Sequence, residues 1–404
     1  MKNAIPALLL SSLLLGGSSC AWITRDKRIR QPVELSYALE DPAFRRAAGE
    51  LLGAPLTEGN DVVELLNGDR IFPAMLNEIR KAKNTITIEH FIWSSGKISD
   101  QFIEAVSERA RAGVKVHVIV DAIGGAGLKG KDIKKMTAAG VQYERFNSPL
   151  STRLFRLNLR THRKLTVVDG RVGFTGGVCL SDDWQGDAQP PYWRDTHFRV
   201  EGPVVAQMQS VFVENWLQVR SEILHGEGYF PKLEPAGTMT AQIVKSGFHD
   251  DAEMTRLSYL LSISAARKSI RLAHVYFAPD SLMIEALLAA RRRGVEIEVI
   301  VPKKSDNLFA HKAFRPRWKP LLAAGVKFWE YEPTLYHCKI VVVDDAWSIV
   351  GSVNFDERSM RLSDEANLNV MDRAFAAKLV ASFEDDKRRS KRLTAEDMRK
   401  ANIL

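Results

Sequence analysis

Cysteine is scarce: three in 404 residues, too few for a disulfide framework. Long apolar runs are scarce too. A membrane-spanning helix needs roughly 20 consecutive apolar residues, and no stretch after residue 20 approaches that length. No group of His, Cys and carboxylate residues has metal-ligand spacing, so no metal or other cofactor is expected. Neither sign of charge dominates: 57 Lys+Arg against 49 Asp+Glu leave a net charge of +8. That balance suits an anionic partner, phospholipid or nucleic acid, without choosing between them. Hydrophobic content of 45% with 26% charged residues is ordinary for a globular chain, and the length leaves room for two domains.

The one apolar run lies at the start. Lys2 precedes Ala4 to Leu15, and Gly16-Gly17-Ser18-Ser19 leads into Cys20. The run is short for a span and reads as a secretory signal peptide over residues 1–20. A Cys in that place resembles a bacterial lipoprotein processing site, with Cys20 as the lipidated residue, although Gly17 stands where that pattern prefers Leu. Simple secretion and an uncleaved anchor are the alternatives. Residues 21–60, with Pro32, Pro42 and Pro55, read as a tether carrying one short helix.

Chemistry concentrates in two echoing stretches. His337, Lys339 and Asp344 are followed by Gly351-Ser352; His162, Lys164 and Asp169 keep the same spacing and are followed by Gly176-Gly177. Val341-Val342-Val343 and Leu165 to Val168 read as strands. Asp344-Asp345 and Asp169-Gly170 read as hairpin turns. Residues two apart on a strand share a face, so each His points with its Lys, while Cys338 and Arg163 point away. A Lys beside a His suits a phosphate: the ammonium holds an oxygen, and the imidazole attacks phosphorus or moves a proton. The strand after each turn returns the small pair, Gly177 or Ser352, where backbone amides can approach an anion. A lone His-x-Lys is usually an exposed pair; two copies with matching turns and glycines point to one active site made from two halves.

His-x-Lys-x4-Asp followed by Gly-Gly or Gly-Ser is the motif of the phospholipase D superfamily, and the chain resembles its bacterial cardiolipin synthase branch. Asn158-Leu-Arg-Thr-His-Arg-Lys164, Trp193-Arg-Asp-Thr-His197, Val353-Asn-Phe-Asp-Glu-Arg-Ser359 and Asp364-Glu-Ala-Asn-Leu368 carry the likeness, over roughly residues 60 to 395. Related synthases often begin with membrane-spanning helices, and this N-terminus departs from them. The resemblance implies an α/β fold of two similar phospholipase D-type α-β-α sandwich halves, packed face to face with one shared active site. It implies His162 as nucleophile and His337 as general acid and base, with Lys164, Lys339 and Asn354 on the phosphoryl oxygens. Asp195 and Glu365 stand where related enzymes carry the acids that orient the imidazoles. Asp169 and Asp344 belong to the motifs and are expected to support the turns. Cys179 stands where the second motif has Asn354, and a thiol is a poorer donor, so the phosphate contacts are expected to be asymmetric.

The rest of the chain repeats around these motifs. Strand, helix, strand, helix, strand runs from Asn84 to Phe146 and again from Ser269 to Tyr331, with Gly113, Gly140, Gly294 and Gly325 as helix stops. This places a first domain at 61–225 and a second at 240–395, with a linker near Gly226 to Thr238. Arg153, Arg156, Arg160 and Arg163 crowd the approach to His162, as a solvated loop or as an attractor of headgroups. A second basic run, Lys303 to Arg317 with Phe309, Phe314 and Trp318, suits an interfacial loop on anionic lipid or a nucleic-acid groove. The remaining histidines, His90, His117, His197, His225, His249, His274 and His311, read as structural. The expected reaction is phosphatidyl transfer between phospholipids at a membrane surface, with an anionic phospholipid preferred to nucleic acid. Hydrolysis by a secreted phospholipase D or a nuclease-type phosphodiesterase is the alternative, and a silent lipid-binding protein is a third.

Overall fold

A computed structural model of the chain describes residues 28–147, 159–247, 252–304, 313–394 and 396–397. Cys20, Arg153, Arg156, His249, Phe309, His311 and Lys312 lie outside the described residues.

A helix, α1 (Pro42–Leu51), precedes two halves with the same order of main elements. The first half runs β1 (Thr57–Leu66), α2 (Asn67–Lys81), β2 (Thr85–His90), α3 (Lys97–Arg111), β3 (Lys115–Asp121), α4 (Gly130–Ala138) and β4 (Gln142–Phe146). It continues through β5 (Arg160–Thr161), β6 (Leu165–Val168), β7 (Val172–Gly176), β8 (Thr196–Glu201) and α5 (Val204–Arg220). The second half runs β9 (Met239–Ser246), α6 (Met254–Ala265), β10 (Ser269–His274), β11 (Phe277–Ala278), α7 (Ser281–Arg292), β12 (Glu296–Pro302), α8 (Lys319–Ala323) and β13 (Lys327–Tyr331). It closes with β14 (Lys339–Val343), β15 (Trp347–Gly351), β16 (Phe355–Asp356), α9 (Glu357–Leu362), β17 (Ser363–Met371), α10 (Arg373–Arg388) and β18 (Ser390–Leu393). The strands and helices expected from periodicity fall within a few residues of these bounds.

Each half carries a sheet of matching order, β4-β3-β2-β6-β7-β8-β1 and β13-β12-β10-β14-β15-β17-β9, and the two join where β1 pairs antiparallel with β9. Strands β2, β3 and β4 are parallel, as are β10, β12 and β13, because a helix returns the chain between them. Helices α2 and α3 cover the outer face of the first sheet around Phe72, Met75, Phe102 and Val106. Helices α6, α7 and α8 cover the second around Leu261, Met283 and Leu321. The inner faces share one core in which Met208 of α5 and Phe375 and Leu379 of α10 meet strands of both halves, so the halves are packed face to face. Aspartates start several helices: Asp280 accepts from Met283 N (2.9 Å), and Asp372 from Phe375 N (2.7 Å). Such a cap contributes about 1 kcal/mol.

The stretch expected to be a tether is different from residue 28 onward. Leu39, Phe44, Ala48 and Leu52 are buried in the second half's core, and Thr57 already belongs to β1. Phe44 meets the Trp347 ring edge-on at 5.2 Å. Apolar residues at helical spacing in α1 needed a partner, and the outer face of the second sheet supplies it.

Candidate active site

Two hairpins set the site. Strands β6 and β7, and β14 and β15, are joined by turns whose central residues, Asp169-Gly170 and Asp344-Asp345, have positive φ of 52° and 61°, and of 52° and 52°. That is the twist a tight hairpin needs. Asp169 does not face the site. Its carboxylate accepts from Lys83 N, Asn84 N and Thr85 N at 2.7–2.9 Å, fixing the start of β2. Asp344 does the same for Arg267 N, Lys268 N and Ser269 N at the start of β10.

The histidines sit just upstream of β6 and β14 rather than within them. Each is held by the opposite half. Strand β5 pairs with the start of β17, and His162 N donates to Asp364 O (2.8 Å). Equivalently, Arg194 bridges to Tyr336, and His337 N donates to Arg194 O (2.8 Å). The next residue in each case is the acid. His162 Nδ1 lies 2.8 Å from Glu365 Oε1, and His337 Nδ1 lies 2.7 Å from Asp195 Oδ2. A carboxylate oxygen accepts, so each Nδ1 carries the proton and each Nε2 keeps its lone pair. The sequence pointed to both acids; it did not say that each serves the other half's histidine.

The acids are themselves fixed. Glu365 accepts from Ser352 Oγ (2.5 Å) and from Ser359 Oγ. Asp195 accepts from Trp184 Nε1 (2.8 Å) and from Thr196 N (2.8 Å). Trp184 and Ser359 occupy matching places, five residues past Cys179 and Asn354; that shared offset was the signal by which both could have been found. The small pair departs from expectation. Gly177 N donates to Thr196 O (3.1 Å) and Ser352 N to Ala366 O (3.0 Å), so these amides are spent on the sheet and are not phosphate donors. Gly177 is needed for space, because a Cβ there would lie 2.2 Å from Asp195 Oδ1.

Lys164 and Lys339 share the histidines' faces as expected. Each Nζ donates to the carbonyl of its histidine at 2.7 Å, and Lys339 Nζ lies 3.0 Å from His337 Nδ1. Burial, opposed by Asp195 and aided by Lys164, pushes Lys339 down to about 8. Burial and then Lys339 push His337 down to about 4, against Asp195. Burial also lowers His162, opposed by Glu365 and aided by both lysines. Burial alone would raise the Asp195 carboxyl; His337, Lys339 and Trp184 outweigh it and hold the group below the usual range.

A cleft of about 390 Å³ opens beside His162, with Asn354 on its wall. The Asn354 side-chain oxygen is buried without a hydrogen-bond partner among the described residues, while Cys179 at the matching place is fully buried. His337 is boxed by Trp184 and Trp193 at ring separations of 5.1 and 5.5 Å, and His162 meets Phe91 at 5.0 Å. His90, His197 and His274 are buried without hydrogen-bond partners among the described residues. Burial and the nearby lysines push His197 and His274 down to about 3, so they stay neutral.

Several of the described residues in the two basic runs are held by partners within the fold. Arg163 is buried and donates to Glu365 O and Val211 O (3.4 and 2.9 Å), and Arg160 Nη1 donates to Asp121 Oδ1 (3.2 Å). Trp318 is core, donating to Phe277 O (2.8 Å). Arg194 was not singled out by sequence. It is a buried clamp between the halves: its guanidinium pairs with Asp386 of α10 (2.9 Å) and donates to Asp195 O (2.7 Å).

The family model described as "Cardiolipin synthase, PLD-like domain" matches residues 75–184 and 259–387. Cardiolipin synthase 2 of Staphylococcus epidermidis is 34% identical over 353 residues, covering 86% of this chain and 72% of that protein. The chain belongs to the phospholipase D-like cardiolipin synthase family. The major cardiolipin synthase ClsA of Bacillus subtilis is likewise 34% identical, over 85% of this chain and 72% of its own length. A solved phosphatidylserine synthase of Haemophilus influenzae shares the fold, with a TM-score of 0.62 at 13% identity over 87% of this chain and 92% of that one. Both matched segments of this family member contain the turn and strand that carry a small pair and its Cys179 or Asn354. No helix among the described residues is long and apolar enough to cross a membrane.

Proposed function

We propose that this chain is a phosphatidyltransferase of the cardiolipin synthase kind, moving a phosphatidyl group from phosphatidylglycerol, or another phospholipid, to a second lipid's hydroxyl. The observation that carries the reading is the crossed pair of histidines, each oriented by the other half's carboxylate and flanked by its own lysine. His162 Nε2 attacks phosphorus, the bond to the leaving alkoxide breaks, and His337 gives that alkoxide a proton. In the second step His337 takes the proton of the incoming hydroxyl, its oxygen bonds phosphorus, and the bond to His162 breaks. Lys164, Lys339 and Asn354 stabilise the phosphoryl oxygens. The pKa of His337, about 4 in the empty site, rises when the phosphodiester anion offsets the lysines.

Two further points belong to the same proposal. The folding units are the two halves read as 61–225 and 240–395, the first reaching back to Thr57 and the second starting at Met239 and taking in the packed residues of α1, and the N-terminus is anchored to the bacterial envelope through a lipid on Cys20, facing the periplasm. Lipid anchoring is tested by Cys20→Ser, which should abolish acyl labelling; unchanged labelling rules it out. The reaction is tested with labelled phosphatidylglycerol and glycerol on a thin-layer plate. Labelled diphosphatidyl product and exchange into glycerol are expected; phosphatidic acid alone would mean hydrolysis.

A further inference from the structure

The two halves match position by position around the site, and the exceptions are informative. His162 matches His337, Asp195 matches Glu365, and Cys179 matches Asn354. Two residues before each histidine stand Arg160 and Leu335; four residues past Cys179 and Asn354 stand Asp183 and Arg358. The side of the site with the cleft therefore carries two arginines where the matching positions carry a leucine and an aspartate. Both arginines line the cleft together with His162 and Asn354, and Phe91 and Tyr276 form part of its wall.

One phosphodiester carries one negative charge, and on the transferase reading Lys164 and Lys339 meet it. Two further guanidinium groups stand on the cleft wall, Arg160 paired with Asp121, with Asp356 and Glu365 on the same wall. Arginine is also the side chain whose planar fork matches a phosphate bidentately. Arg160 is aligned by Asp121, at 3.2 Å, and is itself buried. Asp356, the wall's other carboxylate besides Glu365, accepts from Ser359 N (2.8 Å) and caps the turn that presents Arg358. The aromatic wall suits the carbon skeleton between two headgroup phosphates.

We propose that Arg160 and Arg358 form a second anion site, which takes the phosphodiester that the acceptor alcohol already carries. The enzyme thereby selects an alcohol that is itself a phospholipid headgroup over glycerol or water. The inference rests on the transferase reading above. In the transfer step the acceptor hydroxyl loses its proton to His337, its oxygen bonds phosphorus, the bond to His162 breaks, and the second phosphodiester is unchanged.

The test compares three acceptors: phosphatidylglycerol, the soluble diester glycerophosphoglycerol, and glycerol. Arg358 is the position to vary, because it is exposed whereas Arg160 is buried. The wild-type enzyme should prefer both diesters to glycerol in kcat/KM. Arg358→Gln should cut kcat/KM for both diesters about 10- to 100-fold more than for glycerol, the usual weight of a hydrogen bond to a charged group, and Arg358→Lys should fall between. Transfer to glycerol reports that the variant is folded. Equal loss on all three acceptors overturns the proposal and places Arg358 on the reacting phosphate or in the fold. A preference for the lipid but not the soluble diester also overturns it, since acyl contact would then explain selection. A wild-type enzyme that transfers to no alcohol overturns the transferase reading and this inference with it.

Discussion

The two orienting acids should not respond alike to loss of charge. In Asp195→Asn the amide has no satisfactory orientation. Asp195 Oδ2 faces two donors, His337 Nδ1 (2.7 Å) and Trp184 Nε1 (2.8 Å), and Oδ1 faces a third, Thr196 N (2.8 Å). With the NH2 group at Oδ2, it opposes the indole N–H and drives His337 to the wrong tautomer. With it at Oδ1, it opposes a backbone N–H. Glu365→Gln has an escape, because two of its partners are hydroxyls, Ser352 Oγ and Ser359 Oγ. A hydroxyl can turn and accept. Both variants lose the charge that supports an imidazolium, but only Asp195→Asn also leaves a buried donor unpaired, at about 1–3 kcal/mol. The ratio of the two losses in kcat should therefore be roughly 10- to 100-fold, with Asp195→Asn the worse. Steady-state transfer of labelled phosphatidyl groups in mixed micelles measures it, with circular dichroism to check folding. Equal losses, or a worse Glu365→Gln, would refute the hydrogen-bond reasoning.

Other outcomes follow from the same geometry. Gly177→Ala should lower kcat by about 10²-fold or more, the weight of a misplaced acid-base pair, because its Cβ would overlap Asp195. Ser352→Ala, which removes one bond to Glu365, should cost only about 1 kcal/mol; similar losses in the two variants would count against the packing argument. Lys339 is charged below about 8 and loses its proton as pH rises through that value, so kcat/KM, which reports the free enzyme, should fall above it. Lys339→Arg should move that limb upward whatever its effect on the plateau, because a guanidinium stays charged. A limb that does not move would mean another group sets it.

Much of this was legible in the sequence because the signals were local. β-branched runs, turn residues and helix stops fix elements within one half, and the duplicated motif marked the two hairpins next to the histidines. What was not legible depends on the other half. Asp195 could equally have served His162 or His337, and only the pairing of Arg194 with Tyr336 decides. The amides of Gly177 and Ser352 looked available because strand spacing shows which face a side chain takes but not whether a neighbouring strand claims the N–H. The tether reading failed for the same reason: the apolar face of α1 was visible, but the sheet that covers it was distant in sequence. Arg194 lay in the Trp193-Arg-Asp-Thr-His197 word, yet its partner Asp386 sits 192 residues away.

The most direct test of the account is to quench the enzyme during turnover of phosphatidylglycerol labelled in its phosphate and to map the labelled peptide. Covalent phosphate on His162 is predicted, lost in His162→Ala and retained in His337→Ala when a nitrophenyl diester, whose leaving group needs no proton, supplies the phosphoryl group. Label on His337 would reverse the roles of the two histidines. Label on neither, with His162→Ala still turning over, would contradict the covalent mechanism outright.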